Sequence, residues 1–346
     1  MSQAIRDALS NDYAVVRDGG AGLLDLSSRG RMLVSGSDAE MFLNGLVTND
    51  VKTLAVNSWM PAAFANVQGR LLAAVRIIHR QDGFLIDTEE ATHQRVWKLL
   101  ERFTLAGDFR VTDLTGTTTV FSIQGKAAPD FVRAEFGREA EELGRQAVLR
   151  TAAGVDIFPA THTSEKGFDI FLDRNYADEL GQRLMRDGVV PVNDETQELL
   201  RIEAGIPHYG IDMDETTVVT ETNLDDAISF TKGCYVGQEI IIRIQHRGHV
   251  ANKLTGIVLE DREDIENSAK ISSDNKEIGR VTSATFSPRL ERTGALGYVK
   301  YDYLNAGTKV SIASGQGEFP ATVVELPFVR GSWYEEMNTD RHRSQF

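Results

Sequence analysis

The texture of this chain changes near residue 251, and that change restricts the fold more than any single motif does. Beyond it, short strand-like runs separated by turn residues follow one another at 255–259, 277–284, 294–299, 308–312 and 319–324. No helical periodicity intervenes, and such a run reads as a small all-β domain, a barrel. Before residue 251 the pattern is mixed. Strand-like stretches at 31–35, 59–65, 71–79 and 84–87 accompany a helix opening at Ser37-Asp38-Ala39-Glu40, which has the form of a capping box. Residues 71–78 are nearly continuous apolar with one Arg, as in a central strand. A helix from Ala91 places Val96, Leu99, Leu100 and Phe103 on one face.

The alternation then recurs. A strand at 118–123 leads through Gly125 to a helix ending at Phe136, with Gly137 as its C′ residue. Strands at 148–158 and 168–172 and helices at 176–185 and 196–204 follow, the last stopped by Gly205 and Pro207. Two such rounds predict two α+β units side by side. The expected division is residues 1–250 for two interleaved α+β domains, 251–330 for the barrel and 331–346 for a loose tail. A length of 346 residues agrees with two or three domains.

Composition narrows the function. The net charge is −14, which repels nucleic-acid phosphate and argues against a general nucleic-acid binder. No apolar run approaches the roughly 18 residues that span a bilayer. Residues 1–18 lack the basic-then-apolar order of a secretory signal. The expectation is a cytoplasmic protein with no membrane partner. Cys234 is the single cysteine, so a zinc or iron–sulfur site built from several thiolates of one chain is excluded, and no metal site is expected.

The densest chemical stretch is Lys232-Gly233-Cys234-Tyr235-Val236-Gly237-Gln238-Glu239. Its glycines suggest a tight turn, and an ammonium two residues from the thiol favours thiolate. The alternative is a buried cysteine acting as a small apolar residue. Downstream, Arg243, Arg247 and their neighbours form a basic run without an acid, suited either to an anionic ligand tail or to a solvated edge strand. Upstream, Arg201, Glu203 and Tyr209 close a helix. A carboxylate and an aromatic wall suit the guanidine-like edge of a pterin, although Arg201 and Glu203 could equally form a local ion pair. Asp212, Asp214 and Glu215 read as a solvated acidic loop, and His79, His93 and His162 as structural or surface residues.

Three passages, in order, resemble one family. Residues 201–215 (Arg-Ile-Glu-Ala-Gly-Ile-Pro-His-Tyr-Gly-Ile-Asp-Met-Asp-Glu) resemble the folate-site segment of glycine-cleavage T-proteins and YgfZ proteins. Residues 232–239 are similar to the Lys-Gly-Cys-Tyr-x-Gly-Gln-Glu signature of YgfZ. Residues 278–299 resemble the C-terminal barrel of the same superfamily, and 24–50 the T-protein start. The resemblance implies a GcvT/YgfZ-like three-domain cloverleaf of α+β class around a folate channel, with tetrahydrofolate or a one-carbon derivative as ligand. It implies Glu203 as the pterin carboxylate, with Arg201 and Tyr209 nearby, and Lys232, Gly233, Cys234, Tyr235, Gly237, Gln238 and Glu239 as the functional loop. T-proteins carry a catalytic aspartate after an Asn-x-x-Gly turn. Here Asn66-Val67-Gln68-Gly69 leads to Ala73 and Ala74. Alanine carries no charge to steady a cationic intermediate, which speaks against the T-protein reaction. The expected role is support of iron–sulfur enzymes or their assembly factors, with an indirect effect on tRNA modification. A tetrahydrofolate-dependent aminomethyl- or methyltransferase is the alternative.

Overall fold

The structure is a computed structural model describing residues 11–315 and 317–335, with Arg247 as backbone alone. Residues 1–10 and 336–346, which include much of the expected tail, lie outside the described residues. Helix α1 (11–17) leads into β1 (Gly22–Asp25) and β2 (Gly30–Ser35). Helix α2 (Ala39–Leu46), strands β3 (Ser58–Ala65), β4 (Leu71–Arg80) and β5 (Gly83–Thr88), helix α3 (Glu90–Glu101) and β6 (Arg110–Asp113) follow. One sheet has the order β3-β4-β5-β2-β6.

The second round comprises β7 (Thr118–Gln124), α4 (Ala128–Phe136), α5 (Arg138–Glu141), β8 (Leu149–Arg150), β9 (Asp156–Pro159), β10 (Gly167–Asp173), α6 (Arg174–Arg186), β11 (Val190–Pro191) and α7 (Asp194–Glu203). Its sheet runs β11-β1-β7-β10-β9-β8, so β1 crosses over from the first round. Helix α8 (Gln238–Arg247) precedes a closed barrel of β12 (Asn252–Leu259), β13 (Lys270–Ser273), β14 (Lys276–Ser287), β15 (Arg292–Lys300), β16 (Lys309–Ser314) and β17 (Gly317–Val324). Among the described residues no helix is long and apolar enough to cross a membrane.

The periodicities explain the layering. Val96 and Leu100 of α3 pack with Met32, Val75 and Ile77 on one face of the first sheet. Helices α4 and α6 cover one face of the second sheet through Val132, Leu180 and Leu184. The other faces meet each other: Ile78 and Leu85 pack against Val120, Phe158 and Phe171. Each fully buried side chain of this kind contributes roughly 1.5–3 kcal/mol. The result is a helix–sheet–sheet–helix stack with the barrel attached through Ile202, Leu254, Leu296 and Tyr298.

Four expectations need correction. The strand at 148–158 is two short strands, β8 and β9, because Ala152, Ala153 and Gly154 make a turn with Gly154 at φ 80°. Ser37 does not cap α2; its amide and hydroxyl both donate to Asp108 Oδ2. The basic run is not an edge strand but helix α8, bracketed by Gly237 and Gly248 in the left-handed region. The tail is anchored at its start, where the Ser332 amide and hydroxyl donate to the buried Glu165 carboxylate at 2.8 and 2.7 Å.

Candidate functional site

The cysteine loop is fastened at both ends. Lys232 is buried, and its ammonium donates to the carbonyls of Asn44 (2.6 Å), Val47 (2.9 Å) and Asn49 (2.7 Å). These acceptors lie in and just beyond the last turn of α2, where helix carbonyls lack intrahelical donors. Desolvation pushes the Lys232 pKa down to about 8, although Asp50 opposes the shift. All three N–H bonds are committed to carbonyls, so the ammonium has none left for the thiol. The expected assistance of Cys234 by Lys232 is corrected on that ground.

Farther along the loop, the Val236 amide donates to Gly45 O at 3.3 Å. A Cβ on Gly237 would lie 2.5 Å from Asn66 O, so the loop rests directly on the 66–70 turn. Gln238 bonds back to the Lys232 and Gly233 carbonyls, and Glu239 pairs with Arg243 along α8. Gly233 and Cys234 face solvent. Tyr235 points the other way, into a cluster with Ala63, Leu71, Ala74, Tyr209 and Ile241, and burial pushes its pKa up to about 12. Its buried hydroxyl has no partner among the described residues.

A cleft of about 950 Å³ opens between the two rounds, lined by Arg29, Glu89, His162, Arg201, His208 and Tyr209 among others. Behind it runs a chain of alternating charge. Asp87 accepts from Arg29 (2.7 Å) and Arg76 (2.7 Å), and Arg76 also pairs with Asp169. Both oxygens of Asp169 face His162 Nε2, at 3.0 and 3.1 Å. Burial alone would raise both carboxyl groups. The neighbouring cations outweigh it and hold Asp87 and Asp169 below the usual carboxylate range. Arg76 also lies over the rings of Phe158 and Phe171. Its Nη2 is a buried donor without a partner among the described residues.

The remaining predicted residues divide. Tyr209 reaches the cleft; its amide donates to Glu89 Oε2 at 2.9 Å and its hydroxyl meets Arg95. Arg201 also lines the cleft but is held by Glu198 (2.6 Å) and the buried Asp212 (2.7 Å). Asp212 is no solvated loop residue, since it also accepts from Thr282 and Ser283 of the barrel. Glu203 does not line the cleft. Its carboxylate is 1% exposed and accepts from Tyr13 (2.8 Å), Arg17 (2.7 Å) and Ser287. A carboxylate so occupied is an internal tie, which corrects its assignment as a ligand group. Arg243 is exposed on α8, and the Arg247 side chain lies outside the described residues. Asp169, Arg76 and His162 were missed from sequence. A signal existed, for Asp169 interrupts the apolar strand Phe168–Leu172, but nothing in the spacing linked it to Arg76.

Comparisons with known proteins agree with this architecture. The model of the GCVT N-terminal domain matches residues 2–232. That of the glycine cleavage T-protein C-terminal barrel domain matches residues 252–330. An aminomethyltransferase of Rubrobacter xylanophilus is 32% identical over 314 residues, covering 90% of this chain and 83% of that protein. One of Picosynechococcus sp. is 27% identical, covering 90% and 87%. The glycine cleavage system aminomethyltransferase T of Bartonella henselae shares the fold with a TM-score of 0.86 at 23% identity, covering 93% of this chain and 90% of that one. With a family model spanning well over half its length, the chain belongs to the GCVT N-terminal domain family and carries that family's C-terminal barrel.

Proposed function

We propose that this chain binds tetrahydrofolate or a one-carbon derivative in the cleft, and that its Cys234 loop serves iron–sulfur enzymes in the manner of YgfZ proteins. The folate part is supported by the family and by the cleft, whose walls include Arg29, Glu89, His162 and Tyr209. A pterin's guanidine-like edge would offer two parallel N–H donors to a cleft-lining carboxylate such as that of Glu89. The observation that carries the second part is the pairing of two features on one hairpin. The 66–70 turn leads to Ala73 and Ala74, with no carboxylate, and the same turn is the seat of the cysteine loop.

The relatives' name supports a second reading more directly than it supports the first: a folate-dependent aminomethyltransferase using other residues. One experiment separates the two readings. Purified protein is titrated with tetrahydrofolate by calorimetry and then assayed for methylene- or methyl-tetrahydrofolate formed from a small one-carbon donor. Binding without turnover favours the first reading; turnover above the uncatalysed rate replaces it with the second. Within the first reading, Cys234→Ala keeps the fold and the folate affinity but loses support of iron–sulfur enzymes in cells. Retained support would remove Cys234 from the function. Glu89→Gln weakens folate binding by about tenfold or more, with circular dichroism confirming the fold. An unchanged Kd would clear Glu89 of the role.

A further inference from the structure

A second recess lies on the outside of the barrel. Strand pairing sets Arg280 opposite Tyr298 and Asn252 opposite Lys300. Tyr298 packs outward with Leu254 and Leu296, whereas Val281, Ala295 and Val299 fill the barrel interior, so the period-2 alternation turns Tyr298 and Lys300 to one outer face. Thr216, Thr217 and Glu221, from the connection before the barrel, form the facing wall. The recess measures about 380 Å³ and shares no lining residue with the cleft described above. That is far more than the roughly 30 Å³ of one water.

Its walls hold uncommitted polar groups. Tyr298 is 7% exposed, and its hydroxyl, close to Thr217 and Glu221, forms no hydrogen bond of ordinary geometry among the described residues. A buried hydroxyl left this way costs about 1–3 kcal/mol, so a partner would be stabilising. Arg280 forms no ion pair among the described residues and lies 6.0 Å over the Tyr298 ring. Lys300 gives one bond to the Glu277 carbonyl, at 3.0 Å. Glu221 accepts the Val218 amide at 3.3 Å and also the Asn252 amide. The other charge in the walls is already used, since Glu277 pairs with Lys270 at 2.9 Å. Two cations and one carboxylate therefore face the same small space, with the Tyr298 side chain in its wall.

We propose that this recess binds a free α-amino acid, with its carboxylate on Arg280 and Lys300 and its ammonium on Glu221. A simple anion would leave Glu221 facing like charge, and a simple amine would do the same to Arg280 and Lys300. The test is a thermal-shift screen of the full chain against each of the twenty amino acids, acetate and methylamine, followed by calorimetry on the best amino acid. At least one amino acid should bind saturably and more tightly than acetate or methylamine. Lys300→Gln and Arg280→Gln should each weaken that binding about tenfold while tetrahydrofolate titration is unchanged. No response to any amino acid would overturn the proposal. So would equal binding of acetate, or full affinity retained in both variants.

Discussion

At the scale of single residues, the informative side chains are those whose duty differs from their type. Lys232 looked like the activator of Cys234 and is instead a clasp on the end of α2. Glu203 looked like a ligand carboxylate and is an internal tie. Sequence supplied residue type and neighbourhood in both cases, but could not say which groups from distant segments had already taken the hydrogen bonds. For Lys232 this has a measurable consequence. Its folded-state pKa, about 8, lies below the ordinary lysine value of 10.5. Between those values the unfolded chain holds a proton that the folded chain has released, so this residue's contribution to stability rises with pH across that window. We expect the stability of the wild type relative to Lys232→Met, from urea denaturation, to climb between pH 8 and 10. A difference that stays flat would mean that the ammonium is not perturbed in the fold.

At the scale of elements, most of the framework was legible. The strands from β2 to β5, helices α3, α6 and α7, and five of the six barrel strands follow from periodicity because each has one apolar face and a turn residue at its end. The elements missed were short, such as β1 and β6, or bracketed by unusual backbone. Helix α8 is the clearest case. Its opening glycine, Gly237, sits at φ 85° against the 66–70 turn, and only a residue without Cβ can take that place. Gly237 therefore sets the approach of the whole loop, not merely its flexibility. Gly237→Ala should cost more than about 1 kcal/mol, since strain at positive φ adds to the clash with Asn66. It should also speed alkylation of Cys234 as the loop lifts. An alanine variant with wild-type stability and wild-type alkylation rate would show that the loop is not seated on the turn.

At the scale of the molecule, the two sheets are joined by apolar side chains at one place and by the chain Arg29–Asp87–Arg76–Asp169–His162 at another. Arg76 is its centre, and both aspartates are fully buried. Removing one member of a buried pair leaves uncompensated charge, so Arg76→Met should destabilise by about 3–5 kcal/mol at neutral pH. Both carboxyl groups titrate below their ordinary range, so the stability they contribute is complete above about pH 4 and is lost as pH falls further. The penalty of Arg76→Met should therefore shrink below that pH, and a penalty independent of pH would argue against the chain as a joint. The knot around Glu203 has a different kind of consequence. Tyr13 and Arg17 grip it from near one terminus; Arg17 also holds Glu165, on which Ser332 rests near the other. The backbone is thus buckled like a belt, with helix α1 and Ser332 meeting at one clasp. A cut just before Ser332 would therefore be felt away from the barrel beside it, at the Glu165 carboxylate that Arg17 of helix α1 shares.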